Sequence, residues 1–213
     1  MNQKERMQKG LPYKPWLDGL EDERELCKMK IHELNHLYGA DRDRIPEIME
    51  SLFGKVGENC WLEPPFHCDY GYNIEIGDNF FGNYNLMILD IGKVKIGANA
   101  QIAPNVAIYS VGHPIHPEMR NSGYEAGEPV TIGDNVWIGG NSVILSGVTI
   151  GDNVVIGAGS VVSKDLPDNV VAVGNPCRVI REITEEDRVY YLKKKKFDQE
   201  SWEDIMGTGT FMP

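Results

Sequence analysis

The chain of 213 residues carries 21 Lys and Arg against 32 Asp and Glu, a net charge of −11, which argues against nonspecific attachment to nucleic acid or an anionic membrane surface. With 41% apolar residues it can bury one sizeable core and a small appendage. No run approaches the roughly 18 consecutive apolar residues of a membrane span, and the opening MNQKERMQKG lacks a signal-peptide core, so a soluble, cytoplasmic protein is expected.

Residues 1–58 read as a helical cap. Cys27, Ile31, Leu34 and Tyr38 recur at the spacing of one helix face, with Gly39 positioned to end the helix. A second helix opens near Pro46 and presents Ile45, Ile48, Met49 and Leu52 before Gly54. His32 and His36, four apart on the polar side of the first helix, read as surface residues. The four cysteines, Cys27, Cys60, Cys68 and Cys177, form no C-x-x-C pair, so neither a zinc ribbon nor a dithiol redox centre is expected.

From about residue 74 the periodicity changes. Ile132, Ile138, Ile144, Ile150, Ile156 and Val162 stand six apart, and Val130, Val136, Ser142, Val148, Val154 and Ser160 each precede one of them by two. Ile96, Ile102 and Ile108 share that phase, whereas Ile76 and Ile88 are displaced by two, which implies an insertion at Gly92 and Lys93. A period of six fits neither a helix nor a long strand. It fits a chain that turns a corner every six residues, three strands to a coil, with the aliphatic residue of each face pointing inward. The expected fold is mainly β: a parallel β-helix over 59–182, with Gly and Asn of the I-G-D-N corners (Asn79, Asn135, Asn153) supplying tight turns.

Between Ile108 and Ile132 the period fails. Pro114, Arg120 and Ala126 occupy the positions that should be aliphatic, and Pro117 and Pro129 lie nearby, so residues 111–129 are expected to leave the coil as a loop. The loop carries His113, His116, Glu118, Arg120, Tyr124 and Glu125. A histidine where the chain leaves a rigid scaffold is well placed to act as a base. On position alone, a loop histidine capping backbone carbonyls is the simpler account. His113 and His116 also have the spacing of a metal pair, but no cluster of Cys or further His accompanies them, and no metal is expected. Residues 183–213 form a C-terminal extension, expected to be helical, in which Lys193 to Lys196 read as a solvated helix face.

Three blocks carry a resemblance: FHCDYGYNIEIGDNFFGNYNLMILD at 66–90, GHPIHPEMRNSGYEAGEPVTIGDNVWIGG at 112–140 and GAGSVVSKDLPDNVVAVGNPCRVI at 157–180. With the Y-x-x-x-x-D-x-L run from Tyr13 to Leu20, they resemble the left-handed β-helix hexapeptide acyltransferases, and among them the maltose and galactoside O-acetyltransferases. The resemblance implies a homotrimer with active sites between subunits, acetyl-CoA as co-substrate and a sugar hydroxyl as acceptor. His113 matches the family's general base, which reverses the reading from position alone. Asn83 matches the amide that stabilises the thioester oxygen and touches substrate, and Asp69 and Glu125 fall on the acceptor side. Trp137, Gly140 and Ala158 match the pantetheine channel, and Ser163, Lys164, Arg178 and Arg181 the nucleotide end. Two acidic positions of the galactoside enzymes fall at Ile91 and near Pro15, which tilts the expected acceptor toward maltose or glucose. A zinc carbonic anhydrase, an acetyltransferase for an amine such as an antibiotic or amino acid, and a noncatalytic β-helix scaffold are the alternatives.

Overall fold

The computed structural model describes residues 1–208. Six coils of parallel β-helix build a triangular prism with helices at its ends. The first face stacks Trp61–Leu62, Phe81–Gly82, Gln101–Ile102, Trp137–Ile138, Val155–Ile156 and Val170–Val173, and the antiparallel strand Arg178–Glu182 closes it. The second stacks Phe66–Cys68, Leu86–Leu89, Ala107–Tyr109, Val143–Ile144 and Val161–Val162. Ile74–Ile76, Val94–Ile96, Val130–Ile132 and Thr149–Ile150 make the third.

The register follows from the six-residue period. Ile138 lies opposite Ile156 and Ile144 opposite Val162, an offset of 18 residues, so inward positions stack in columns. Ile76, Ile96, Ile132 and Ile150 form one such column, each no more than 3% exposed. Burying each isoleucine contributes about 1.5–3 kcal/mol relative to leaving it exposed. The early phase shift appears as an offset of 20, Ile76 opposite Ile96. The loop is an insertion of one coil's length, because Ile96 pairs with Ile132.

The three edges of the prism differ. On the edge from the third face to the first, Asn59, Asn79, Asn99, Asn135, Asn153 and Asn169 all have φ between 55° and 59°. Each of the first five donates its side-chain amide to the next at 2.8–3.3 Å. Asparagine, not glycine, therefore takes the left-handed conformation at these corners. The glycine before it serves close stacking: a Cβ on Gly133 would stand 2.8 Å from the Gly151 carbonyl carbon.

The cap consists of α1 (Gln3–Gln8), α2 (Leu20–Asn35), a 3-10 turn (Gly39–Arg44) and α3 (Ile45–Leu52). The short α1, with its Asn2–Glu5 capping box, has no apolar period to announce it. Cys27, Ile31 and Leu34 of α2 and Ile45, Ile48, Met49 and Leu52 of α3 join the prism interior in one continuous core. Tyr38 does not: α2 ends at Asn35, before Gly39, and Tyr38 is 89% exposed. All four cysteines are buried and free.

Two further expectations are corrected. The excursion after Val111 is not wholly irregular, for it contains a short helix α4 (Pro117–Asn121) opened by its own proline. Lys193 to Lys196 lie on no helix. Tyr190–Leu192 and Lys195–Lys196 pair as an antiparallel hairpin turning at Lys193, which has φ 52°. The C-terminal helix α5 (Gln199–Thr208) follows. The remainder of the 183–213 extension, 209–213, lies outside the described residues. Among the described residues no helix is long and apolar enough to cross a membrane.

Candidate active site

The loop leaves the edge between the second and third faces. Ser110, fully buried, donates its hydroxyl to the Leu89 and Gly92 carbonyls at 2.8 and 2.7 Å, which fixes the point of departure. Gly112 and Ala126 then close the neck with paired backbone hydrogen bonds of 2.8 and 3.1 Å. His113 follows directly on this neck, so its backbone is held by a rigid coil although its side chain is 57% exposed.

Glu125 stands across the neck. Its Oε2 is 4.0 Å from His113 Nε2, and its side chain is 14% exposed. The Tyr13 hydroxyl donates to its other carboxylate oxygen, and the two residues exchange backbone hydrogen bonds of 2.9 and 3.1 Å. Tyr13 is fully buried with Tyr70, Leu20, Met7 and Ile91. Burial first, and then the Glu125 carboxylate, push the Tyr13 phenol far up, so it stays protonated and donates. Arg24 donates to the Tyr70 hydroxyl and the Pro15 carbonyl at 2.7 and 2.6 Å.

Asp69 belongs to the same cluster. Burial, then the charge of Glu125, raise its carboxyl above the usual range, opposed by Arg24 and Lys28. The two apolar departures are also accounted for: Ile91 packs in the small core beneath Tyr13, and Pro15 supplies its carbonyl to Arg24.

Beneath Asp69 lies a carboxylate that the motifs did not single out. Asp90 has no exposed surface, and its Oδ1 accepts the backbone N–H groups of Asp69 and Tyr70 at 3.0 and 2.9 Å. Its other oxygen is buried without a hydrogen-bond partner. Burial pushes the carboxyl up to about 7, above the ordinary value of about 4. The folded state therefore favours protonated Asp90, and its stabilising contribution, complete below pH about 4, is lost as pH rises through about 7. Asp90→Asn keeps the acceptor and cannot ionise. Its melting temperature relative to wild type should rise between pH 4 and 8; a difference that stays constant over that range would refute this account.

Asn83, Trp137, Gly140 and Ala158 lie elsewhere, on or beside the edge between the first and second faces. Asn83 follows Phe81–Gly82, in line with Ala103, Gly139 and Gly157 at the ends of the strands stacked on it. Its Oδ1 accepts the Tyr84 N–H at 2.8 Å. Trp137 is 52% exposed on the first face. The whole second face separates Asn83 from the His113 edge, about 15 Å at about 3.3 Å per residue. Within one chain, His113, Glu125 and Asp69 come together, and Asn83 and Trp137 do not join them.

Ser163 and Lys164 stand on the His113 edge, four rows from Asp69 in the register of the second face, roughly 19 Å at about 4.8 Å per row. Arg178, at the start of the closing strand, donates to the Cys177 carbonyl at 2.7 Å. Arg181 is held by Asp187 through two hydrogen bonds of 2.8 Å. His116 occupies the N-cap position of α4 without a capping hydrogen bond from its side chain, and among the described residues no three His, Cys, Asp or Glu side chains converge to hold a metal ion.

The "Bacterial transferase hexapeptide (six repeats)" family model matches residues 129–164, and the "Maltose acetyltransferase hexapeptide capping motif" matches residues 6–57. The galactoside O-acetyltransferase of Escherichia coli (strain K12) is 48% identical over 194 residues, 91% of this chain and 96% of that protein. Among solved structures, a maltose O-acetyltransferase from Clostridium difficile 630 superposes with a TM-score of 0.85 at 52% identity, covering 87% of this chain and 99% of that one. A galactoside acetyltransferase in complex with coenzyme A superposes with a TM-score of 0.90 at 48% identity, covering 93% of this chain and 100% of that one.

Proposed function

The chain belongs to the maltose and galactoside O-acetyltransferase family of hexapeptide-repeat enzymes and is an acetyl-CoA-dependent O-acetyltransferase, and on that premise we propose that it acetylates a hydroxyl of a maltose- or glucose-like sugar, with His113 as general base. One observation carries the reading: His113 stands open at the neck of the loop, with Glu125 and Asp69 gathered beside it.

In this mechanism the imidazole takes the hydroxyl proton as the sugar oxygen attacks the thioester carbonyl. The carbonyl π pair moves to oxygen, and the Asn83 amide donates to the resulting oxyanion. Collapse breaks the C–S bond, and the imidazolium protonates the departing thiolate. Asp69 accepts hydrogen bonds from other sugar hydroxyls, and Glu125 stays beside the imidazole. No covalent enzyme intermediate is needed.

The separation of the two edges supports assembly. When the Asn83 edge of one subunit faces the His113 edge of its neighbour, base and oxyanion donor meet across the interface. A homotrimer closes this heterologous contact. Trp137, Gly140 and Ala158 then line the pantetheine arm, and Ser163, Lys164 and Arg178 serve the nucleotide end. Arg181, already paired with Asp187, contributes less there. The division into cap (1–58), prism (59–182) and extension (183–213) belongs to this reading, as does a cytoplasmic location, where acetyl-CoA is at hand.

The deciding assay follows CoA thiol release from acetyl-CoA against maltose, glucose, a galactoside and an aminoglycoside. Release with maltose or glucose above the others supports the reading. Release with the aminoglycoside alone moves the acceptor to an amine, and no release from protein that binds CoA rejects the sugar. For the nucleotide end, Lys164→Ala and Arg178→Ala should each raise the KM for acetyl-CoA roughly tenfold with kcat at saturation retained. Loss of kcat with KM intact would contradict a phosphate-binding role.

A further inference from the structure

We propose that Tyr13 of the cap is a positioning residue for catalysis, which acts by clamping Glu125 beside His113. The inference rests on the reading of His113 as base and adds a residue from the opposite end of the sequence to the reaction.

Three of Glu125's polar groups are held by one partner. Tyr13 donates its backbone N–H to the Glu125 carbonyl, accepts the Glu125 N–H, and donates its hydroxyl to one carboxylate oxygen. What remains free is Oε2, the atom 4.0 Å from His113 Nε2. That distance exceeds a hydrogen bond, and such contacts shorten when substrate fills a site. A carboxylate held there stabilises the imidazolium that forms as the hydroxyl proton is taken.

Tyr13 cannot release its grip cheaply. Its side chain has no exposed surface, and a buried hydroxyl needs its hydrogen bond. The clamp is braced from behind by Tyr70, whose hydroxyl accepts from Arg24 of α2. The sequence 11–18 thus works as a strap that ties the cap to the neck of the catalytic loop. A carboxylate without the strap would have only its own loop backbone to hold it and would turn to solvent.

Tyr13→Phe preserves the packing and removes the clamp's hydroxyl, and Glu125→Gln preserves shape and removes the charge. Each should lower kcat roughly 10- to 100-fold, with the KM values for acetyl-CoA and acceptor within about twofold of wild type. Because Tyr13 acts through Glu125, the double variant should be no slower than Glu125→Gln alone. Background hydrolysis of acetyl-CoA in the absence of sugar should fall in parallel, since it uses the same base.

Multiplicative losses in the double variant would overturn the proposal, as would a lowered melting temperature with kcat retained. A raised acceptor KM with kcat intact would assign Glu125 to binding and overturn it equally. If Tyr13→Phe does not fold, the kcat and KM of Glu125→Gln decide alone. His113→Ala, measured alongside, separates the two levels: turnover surviving in that variant rejects the base itself, whereas its loss with Tyr13→Phe and Glu125→Gln fully active rejects only the clamp.

Discussion

His113→Ala is expected to lower turnover by roughly 10² to 10⁴ while leaving the fold and CoA binding unchanged. A sugar hydroxyl is a poor nucleophile until its proton leaves, and the side chain at the loop neck is the group available to take it. The effect should fall on kcat, because proton transfer matters in the transition state and not in the binding of acetyl-CoA. The side chain is 57% exposed and outside the prism core, so its truncation opens no cavity. Thiol release at saturating substrates, with CoA binding followed by calorimetry, checks both halves. Turnover within a factor of a few of wild type would remove His113 from the mechanism.

The second large effect concerns assembly. Asn83→Ala should cost on the order of 10² in kcat through loss of an oxyanion donor, so each single variant is nearly silent. Co-expressed in equal amounts, the two are expected to recover about a quarter of wild-type activity. Random assortment places an intact His113 opposite an intact Asn83 at about one interface in four. Were both residues to act within one chain, every site in every mixture would lack one of them and the mixture would stay silent. The 15 Å breadth of the second face, at about 3.3 Å per residue, is the physical reason to expect recovery.

Much of the prism can be read from the chain because its signals are local and repeated. An aliphatic residue every sixth position and an asparagine at every corner of one edge act over a few bonds, and the ladder multiplies them coil after coil. Lys193 to Lys196 show the converse. A run of like charges has no apolar period, so nothing nearby distinguishes a helix face from the hairpin that forms. Tyr38 failed for a related reason: its spacing suits the apolar face, yet α2 stops at Asn35 and the spacing no longer applies.

The site divides along the same line. His113, Asn83, Asp69 and Trp137 lie in motifs, so the candidates could be named from short stretches of sequence. Their grouping could not. Tyr13 and Glu125 are 112 residues apart, and no pattern of local propensity relates them. Asp90 sits in an ordinary strand ending, and its raised carboxyl arises from burial that only the packed edge creates.

The coil, its corners, the place where the loop departs and the residue types available for chemistry are legible along the chain, because each depends on neighbours within a few positions. Folding alone brings the strap to the loop neck and Arg181 to Asp187, and sets His113 and Asn83 on different edges. Those are contacts between segments remote in sequence, and they exist only once the stacked coils have set the distances between them.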